Sequence, residues 1–292
     1  MRLLSFQADS AEQFGAIIDG RVVSLSDRMP EYATLDHVLA AGALVRAQDI
    51  AASSSADYGL KDIRYRPPVT NPGKIICIGD NYVRSHSADA EHRDNRGPDE
   101  HPSVHLRTRE SLVGHLEPIL KPPEAHELDY AGEIALIIGR EGRRIPRADA
   151  LAHIAGITLM NNGCVRDWMG PATRHITQGT NFERSGAIGP WLVTADECSP
   201  GASLHLVTRV NGEIRQDDET SCLHFPFDYL VSYLSTFLRL RPGDVISTGT
   251  PAGTGAQLDT AKFLTAEDRV EIEVPEVGVL ENRVQDEALE TE

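Results

Sequence analysis

A histidine and two acids cluster early in the chain: His86, Asp89 and Glu91, at i, i+3 and i+5. A histidine held by a carboxylate can act as a general base. On a helix only i+3 and i+4 share a face, which makes Asp89 the better partner. The plainer reading is a surface histidine in a polar loop. Further on, Glu133 opens the run EIALIIG, a carboxylate at the head of an apolar strand. Arg166 can take a substrate carboxylate in a two-pronged grip, or it can bind a nearby acid such as Asp167. Gly249 and Thr250 stand in TGTPAG, where glycine lets the backbone come close to a ligand. Gly-Thr-Pro-Ala-Gly is also good turn chemistry, and the two readings are compatible.

The elements that must position these residues can be read from periodicity. RLLSFQ and FGAIIDGRVVSL predict strands, with Asp19-Gly20 as the hairpin turn. Leu, Val and Ala at helical spacing predict a helix over residues 35–52. SSSADYG and RPPVTNPG punctuate a linker. Residues 1–70 are thus expected to form a small N-terminal α/β domain, and residues 73–285 a larger unit. In the latter, KIICIG and EIALIIG predict buried strands. ALAHIAGITLMNN predicts a short helix and then a strand. GPWLVT, LHLVTRVNGEIRQ and RVEIEVPEVGVLENRV add further strands. Residues 226–240 predict one amphipathic helix, stopped by Pro242-Gly243. Residues 84–103 have no period and predict a loop. Many strands with few helices place the chain in the α+β class, with a β-rich core, and argue against a doubly wound sheet.

Bulk composition excludes several functions. The 292 residues carry 28 basic and 44 acidic side chains, a net charge of −16, with no basic stripe. A nucleic-acid partner needs such a stripe, so none is expected. No apolar run nears the ~20 residues that span a bilayer, so no membrane partner is expected either. The first residues lack the apolar core of a signal peptide. The four cysteines show no CxxC spacing, which suits reduced thiols in the cytoplasm. The acidic balance still allows a small anionic substrate, because one or two local arginines suffice.

Six segments in order then carry a resemblance: KIICIGDNY, DYAGEIALIIGR, ITLMNNGCVRDW, GPWLVT, VNGEIRQ and LRPGDVISTGTPAGTG. Over roughly residues 73–285 the chain resembles the fumarylacetoacetate hydrolase superfamily, and its first 70 residues resemble the small extra domain of many bacterial members. The resemblance implies a β-rich roll-like core and a homodimer. It implies C–C hydrolysis, decarboxylation, tautomerisation or hydration of a small 2-oxo, β-diketo or enol acid. It also implies that His86 with Asp89 or Glu91 activates a water, and that Tyr82, Arg107, Arg166, Thr180, Gly249 and Thr250 meet the substrate.

The same resemblance implies a divalent cation held by Glu-x-Glu on one strand and Asp on the next. Here the pattern departs from the family. Ala131 replaces the first Glu, leaving Glu133 as a weak or vestigial ligand, and Asn162 replaces the Asp. Thr180 stands where the family has Lys, and Met169 where it commonly has Gln. Arg107 stands where the family often has Lys; it can supply positive charge near an enolate, or it is a solvated strand residue. The expectation is His-based acid/base chemistry with no cofactor. One alternative is Mg²⁺ or Mn²⁺ held by Glu133, Asn162 and waters. The other is a non-catalytic homologue that binds a metabolite.

Overall fold

The computed structural model describes residues 1–82, 101–170 and 175–288. The chain opens with β1 (Arg2–Ala8), β2 (Ala11–Ile18) and β3 (Arg21–Ser24). The β2–β3 turn uses Asp19 at φ 48° and Gly20 at φ 72°, the two positive values that a primed hairpin turn needs. Two helices follow, α1 (Leu35–Ala40) and α2 (Leu44–Ala52), where one was expected. Gly42, at φ 65°, breaks the path between them.

The remaining strands that frame the site are β4 (Ile75–Gly79), β5 (Ser103–Arg107), β6 (Gly132–Ile138), β7 (Ile154–Asn161) and β8 (Gly186–Thr194). After α3 (Ile176–Thr180) and β8 come β9 (His205–Val210), β10 (Glu213–Glu219), α4 (Phe227–Phe237) and β11 (Val245–Ser247). The hairpin β12 (Arg269–Val274) and β13 (Gly278–Asp286) closes the described chain. α4 ends at Phe237, short of the expected residue 240. Leu240 is drawn into a bridge with Gly142, and that tertiary pairing overrides helical periodicity.

One sheet of twelve strands runs β3-β2-β1-β8-β7-β6-β11-β4-β5 along its main path, with short strands at its margins. The first strand enters this sheet beside β8, with Arg2 opposite Val193 and Leu3 opposite Leu192. A second sheet of five strands orders β10-β9-β12-β13 and then Ile119–Lys121. The main core lies between the sheets and takes Ile134, Leu136 and Ile138 of β6, Leu206, Ile272 and Leu280 of the second sheet, and Leu230 and Leu234 of α4. On the other face of β6, Ala135 and Ile137 join Leu35, Val38 and Ala47 of the N-terminal helices. Every residue of β6 is buried, which is why its sequence shows no alternation. This is the α+β, β-rich architecture expected. No described helix is long and apolar enough to cross a membrane.

Candidate active site

Glu133 sits one residue into β6 with 2% of its surface exposed. A carboxylate buried so deeply needs donors, and three groups supply them. Ser247 stands opposite Ala135 in the neighbouring strand. Its hydroxyl donates to Glu133 Oε2 at 2.6 Å, and the Gly249 N–H donates to the same oxygen at 2.9 Å. Asn162, just past the end of β7, donates from Nδ2 to Oε1 at 3.0 Å. Burial pushes the Glu133 carboxyl up, while these donors and Arg107 pull it down.

Arg107 is the least expected member. It ends β5 and is 4% exposed, so it is not a solvated strand residue. The chain beyond it runs on to Leu112–Val113, which pairs with the start of β8. Nη1 donates to Asn162 Oδ1 and to the Gly163 carbonyl, both at 2.8 Å. Nη2 donates to Ser185 Oγ at 3.0 Å and to the Ser111 carbonyl at 3.3 Å, and Nε to Ser111 Oγ at 2.9 Å. A guanidinium has five N–H groups, and all five are engaged by neutral oxygens. None is left to grip an enolate oxygen. Burial pulls its pKa down, opposed by the nearby thiols and Glu133.

Arg166 bonds Asp129, not Asp167: Nε donates to Asp129 Oδ2 at 2.8 Å, and Nη2 to Thr254 Oγ1 at 3.3 Å. Asp167 instead accepts the His126 N–H at 3.0 Å. Asp129 is fully buried and also accepts the N–H groups of Gly255 and Ala256, at 2.7 and 3.2 Å. It therefore belongs to Arg166 and not to Glu133. The Arg166 side chain keeps 28% exposure, with N–H groups beyond these two bonds to offer a ligand.

Thr250 is engaged on both sides. Its hydroxyl donates to the Gly132 carbonyl and accepts from Gln216 Nε2, each at 2.8 Å. Thr180 is buried in α3, where its hydroxyl donates to Ile176 O at 2.7 Å. Gly249 lies at φ 97°, and a Cβ there would stand 2.7 Å from the Asn81 Cβ, so glycine is required. Its N–H is committed to Glu133 and cannot also serve a substrate. Tyr82 differs from all of these. It is 7% exposed, and its hydroxyl is buried without a hydrogen-bond partner among the described residues. Burial and the charge of Glu133 push its pKa up, so the phenol keeps its proton.

His86, Asp89 and Glu91 lie outside the described residues. Sequence reasoning also missed His105, Ser247, Cys77 and Gln216. His105 faces the same side of β5 as Arg107, in register with Cys77, and both its ring nitrogens are buried without partners among the described residues. Burial and Arg107 hold its pKa down at about 4. The signal for Ser247 was present, since it is a polar residue in the buried apolar strand Val245–Ser247; Gln216 stands in a polar, largely exposed strand and gave none. Cys164 does not act as a reactive thiol, since burial pushes it up to about 11.

Comparison with known proteins now decides the family. The family description "Fumarylacetoacetate (FAA) hydrolase C-terminal" fits residues 74–285. The chain belongs to the fumarylacetoacetate hydrolase family. It is 36% identical over 224 residues to a mitochondrial oxaloacetate tautomerase of Bos taurus, covering 76% of this chain and 70% of that one. A counterpart from Rattus norvegicus is 34% identical over 97% of this chain and 91% of its own. A fumarylacetoacetate hydrolase from Exiguobacterium antarcticum superposes with a TM-score of 0.82 at 27% identity, covering 98% of this chain and 100% of that one. A protein of this family with such relatives is an enzyme of isomerase or hydrolase type.

The expected lack of a cofactor gains nothing from these relatives. A maleylpyruvate hydrolase from Sphingobium shares the fold, with a TM-score of 0.80 at 24% identity over 99% of this chain and 100% of that one, and it was solved with manganese(II) and pyruvate. In the present chain the donors do not fit a divalent cation. Ala131 offers no ligand. Asn162 turns its oxygen to Arg107 and its N–H to Glu133. Both Glu133 oxygens hold donors, and no cluster of three or more acidic, His or Cys ligands exists among the described residues. A hard dication needs several anionic or carbonyl oxygens free to face it.

Proposed function

We propose that the chain tautomerises a small 2-oxo dicarboxylic acid of the oxaloacetate type, by way of an enolate. The observation that carries this reading is the Tyr82 hydroxyl, buried and without a hydrogen-bond partner among the described residues, and held in its protonated form by burial and by the charge of Glu133. A buried donor without an acceptor is costly unless a ligand supplies one. An enolate oxygen is the acceptor whose charge grows during the reaction, and a preorganised donor is worth most there. Arg166 holds the substrate carboxylate with its remaining N–H groups. His86, oriented by Asp89 or Glu91, takes the proton from the carbon beside the carbonyl. The electron pair moves to the carbonyl oxygen, which is then protonated to give the enol. C–C hydrolysis, decarboxylation and hydration share this enolate and form the second reading, favoured by the hydrolases among the structural relatives. A cytoplasmic homodimer is the state that accompanies this reading, and light scattering at micromolar concentration checks the mass.

The test follows the ultraviolet absorbance of enol-oxaloacetate as it converts to the keto form, with and without the protein. Wild type should accelerate the decay. Tyr82→Phe and His86→Ala should each slow it by ~10²-fold or more with circular dichroism unchanged. Full activity in Tyr82→Phe overturns the reading, and so does a decay no faster than in buffer.

A further inference from the structure

The buried cluster of Arg107, Asn162 and Glu133 has a property that the reaction above does not use. It sets a guanidinium and a carboxyl group, both almost wholly withdrawn from water, on either side of one amide without direct contact between them. Asn162 stands between them. Its Oδ1 accepts from Arg107 at 2.8 Å and its Nδ2 donates to Glu133 at 3.0 Å. An amide can do both, whereas an ionised carboxylate at this position has no donor for Glu133. The Asn162 backbone is itself fixed, its N–H bonding the Ala131 carbonyl at 2.8 Å.

We infer that the Arg107 guanidinium is a resident cation that takes the place of a divalent metal in this site. It balances Glu133 through Asn162, and it leaves the chain without affinity for such metals. Three residues make one consistent set. Ala131 offers no carboxylate to compete for the guanidinium. Asn162 supplies a donor as well as an acceptor. Arg107 brings a charge that cannot be lost at any working pH. Its five N–H groups are held by Ser111, Asn162, Gly163 and Ser185, so the cation is anchored without any carboxylate against it. Its field is thus not quenched by direct pairing, and it acts on the site through space. A dication placed at Glu133 would meet that field as a like charge in a medium that screens poorly.

Two measurements test this, and neither needs a substrate. Full-length protein, treated with chelator and desalted, is titrated with Mn²⁺ and followed by electron paramagnetic resonance. Wild type should leave the free-ion signal unchanged, with no binding tighter than about 1 mM. Micromolar binding overturns the inference. The second measurement is a double-mutant cycle on thermal melting. Arg107→Met strands Glu133 as an unbalanced buried charge and should lower the melting temperature by roughly 6 °C or more. Adding Glu133→Gln should recover part of that loss. If the losses from Arg107→Met and Glu133→Gln simply add, the two residues are independent and the balancing role is refuted.

Discussion

The Ser247 hydroxyl lies 2.6 Å from Oε2 of Glu133, although the two residues are 114 positions apart. The contact joins β11 to β6 by a charge-assisted hydrogen bond inside a sheet where every neighbour is buried. Ser247→Ala should cost about 1.5–3 kcal/mol, because the buried carboxylate loses one of its three donors. Urea unfolding of the two proteins measures the difference. A loss under ~0.5 kcal/mol would mean that Glu133 is protonated in the folded state.

Arg166 separates binding from structure by substitution. Lysine at this position keeps a charge for Asp129 but loses the planar fork. Arg166→Lys should therefore melt near wild type and raise KM for the 2-oxo acid about tenfold, with kcat less affected. An unchanged KM would assign Arg166 wholly to Asp129.

Gly249→Ala should be severe. The residue needs φ 97°, and the new Cβ would press on Asn81 at 2.7 Å. Asn81 is itself locked, donating to the carbonyls of Phe225 and Thr248 at 3.0 and 2.7 Å. A cost of about 2–3 kcal/mol is expected from strain alone, together with loss of activity. A variant that melts like wild type would show that the loop can rearrange without harm.

Two histidines make stability depend on acid. Burial holds both His105 and His115 at about 4, below the usual value of 6.5. Their folded pKa lies under the unfolded one, so the unfolded chain takes up protons first. The stability they contribute is complete above about 6.5 and is lost as pH falls from there toward 4. His115 Nδ1 also accepts the Glu281 N–H at 3.0 Å, a bond that protonation there would break. Melting temperature plotted against pH over this interval should fall more steeply for wild type than for the His105→Gln, His115→Gln double variant. Equal slopes would put the acid sensitivity on carboxylates instead.

How far the sequence reveals this molecule depends on whether the determining contact is local. The strand Gly132–Ile138 is legible because its apolar run is continuous and bounded by glycine. The Asp19-Gly20 hairpin is legible because only certain residues accept both positive φ values. The departures at Ala131 and Asn162 are legible as missing ligands. What fills their place is not. Arg107 stands in SVHLRTRES, among residues that look solvated, and only the fold carries its guanidinium to Asn162, 55 positions later. The end of α4 is hidden for the same reason, since Gly142 lies far from Leu240 in the chain. His86, Asp89 and Glu91 lie outside the described residues, so the proposed base rests on its motif.

The place of β1 in the large sheet bears on how the protein is made. Its neighbour β8 is built from residues 186–194, so the Arg2–Leu3 end of that edge has no partner until most of the chain has left the ribosome, whereas Phe6 and Gln7 pair early with Tyr65 and Arg64. A pairing of such long sequence separation is slow to close. Until then the nascent chain displays an apolar hydrogen-bonding edge of the kind that captures other chains. Yield in a cell should therefore respond to growth temperature and holding chaperones more than the stability of the finished protein suggests.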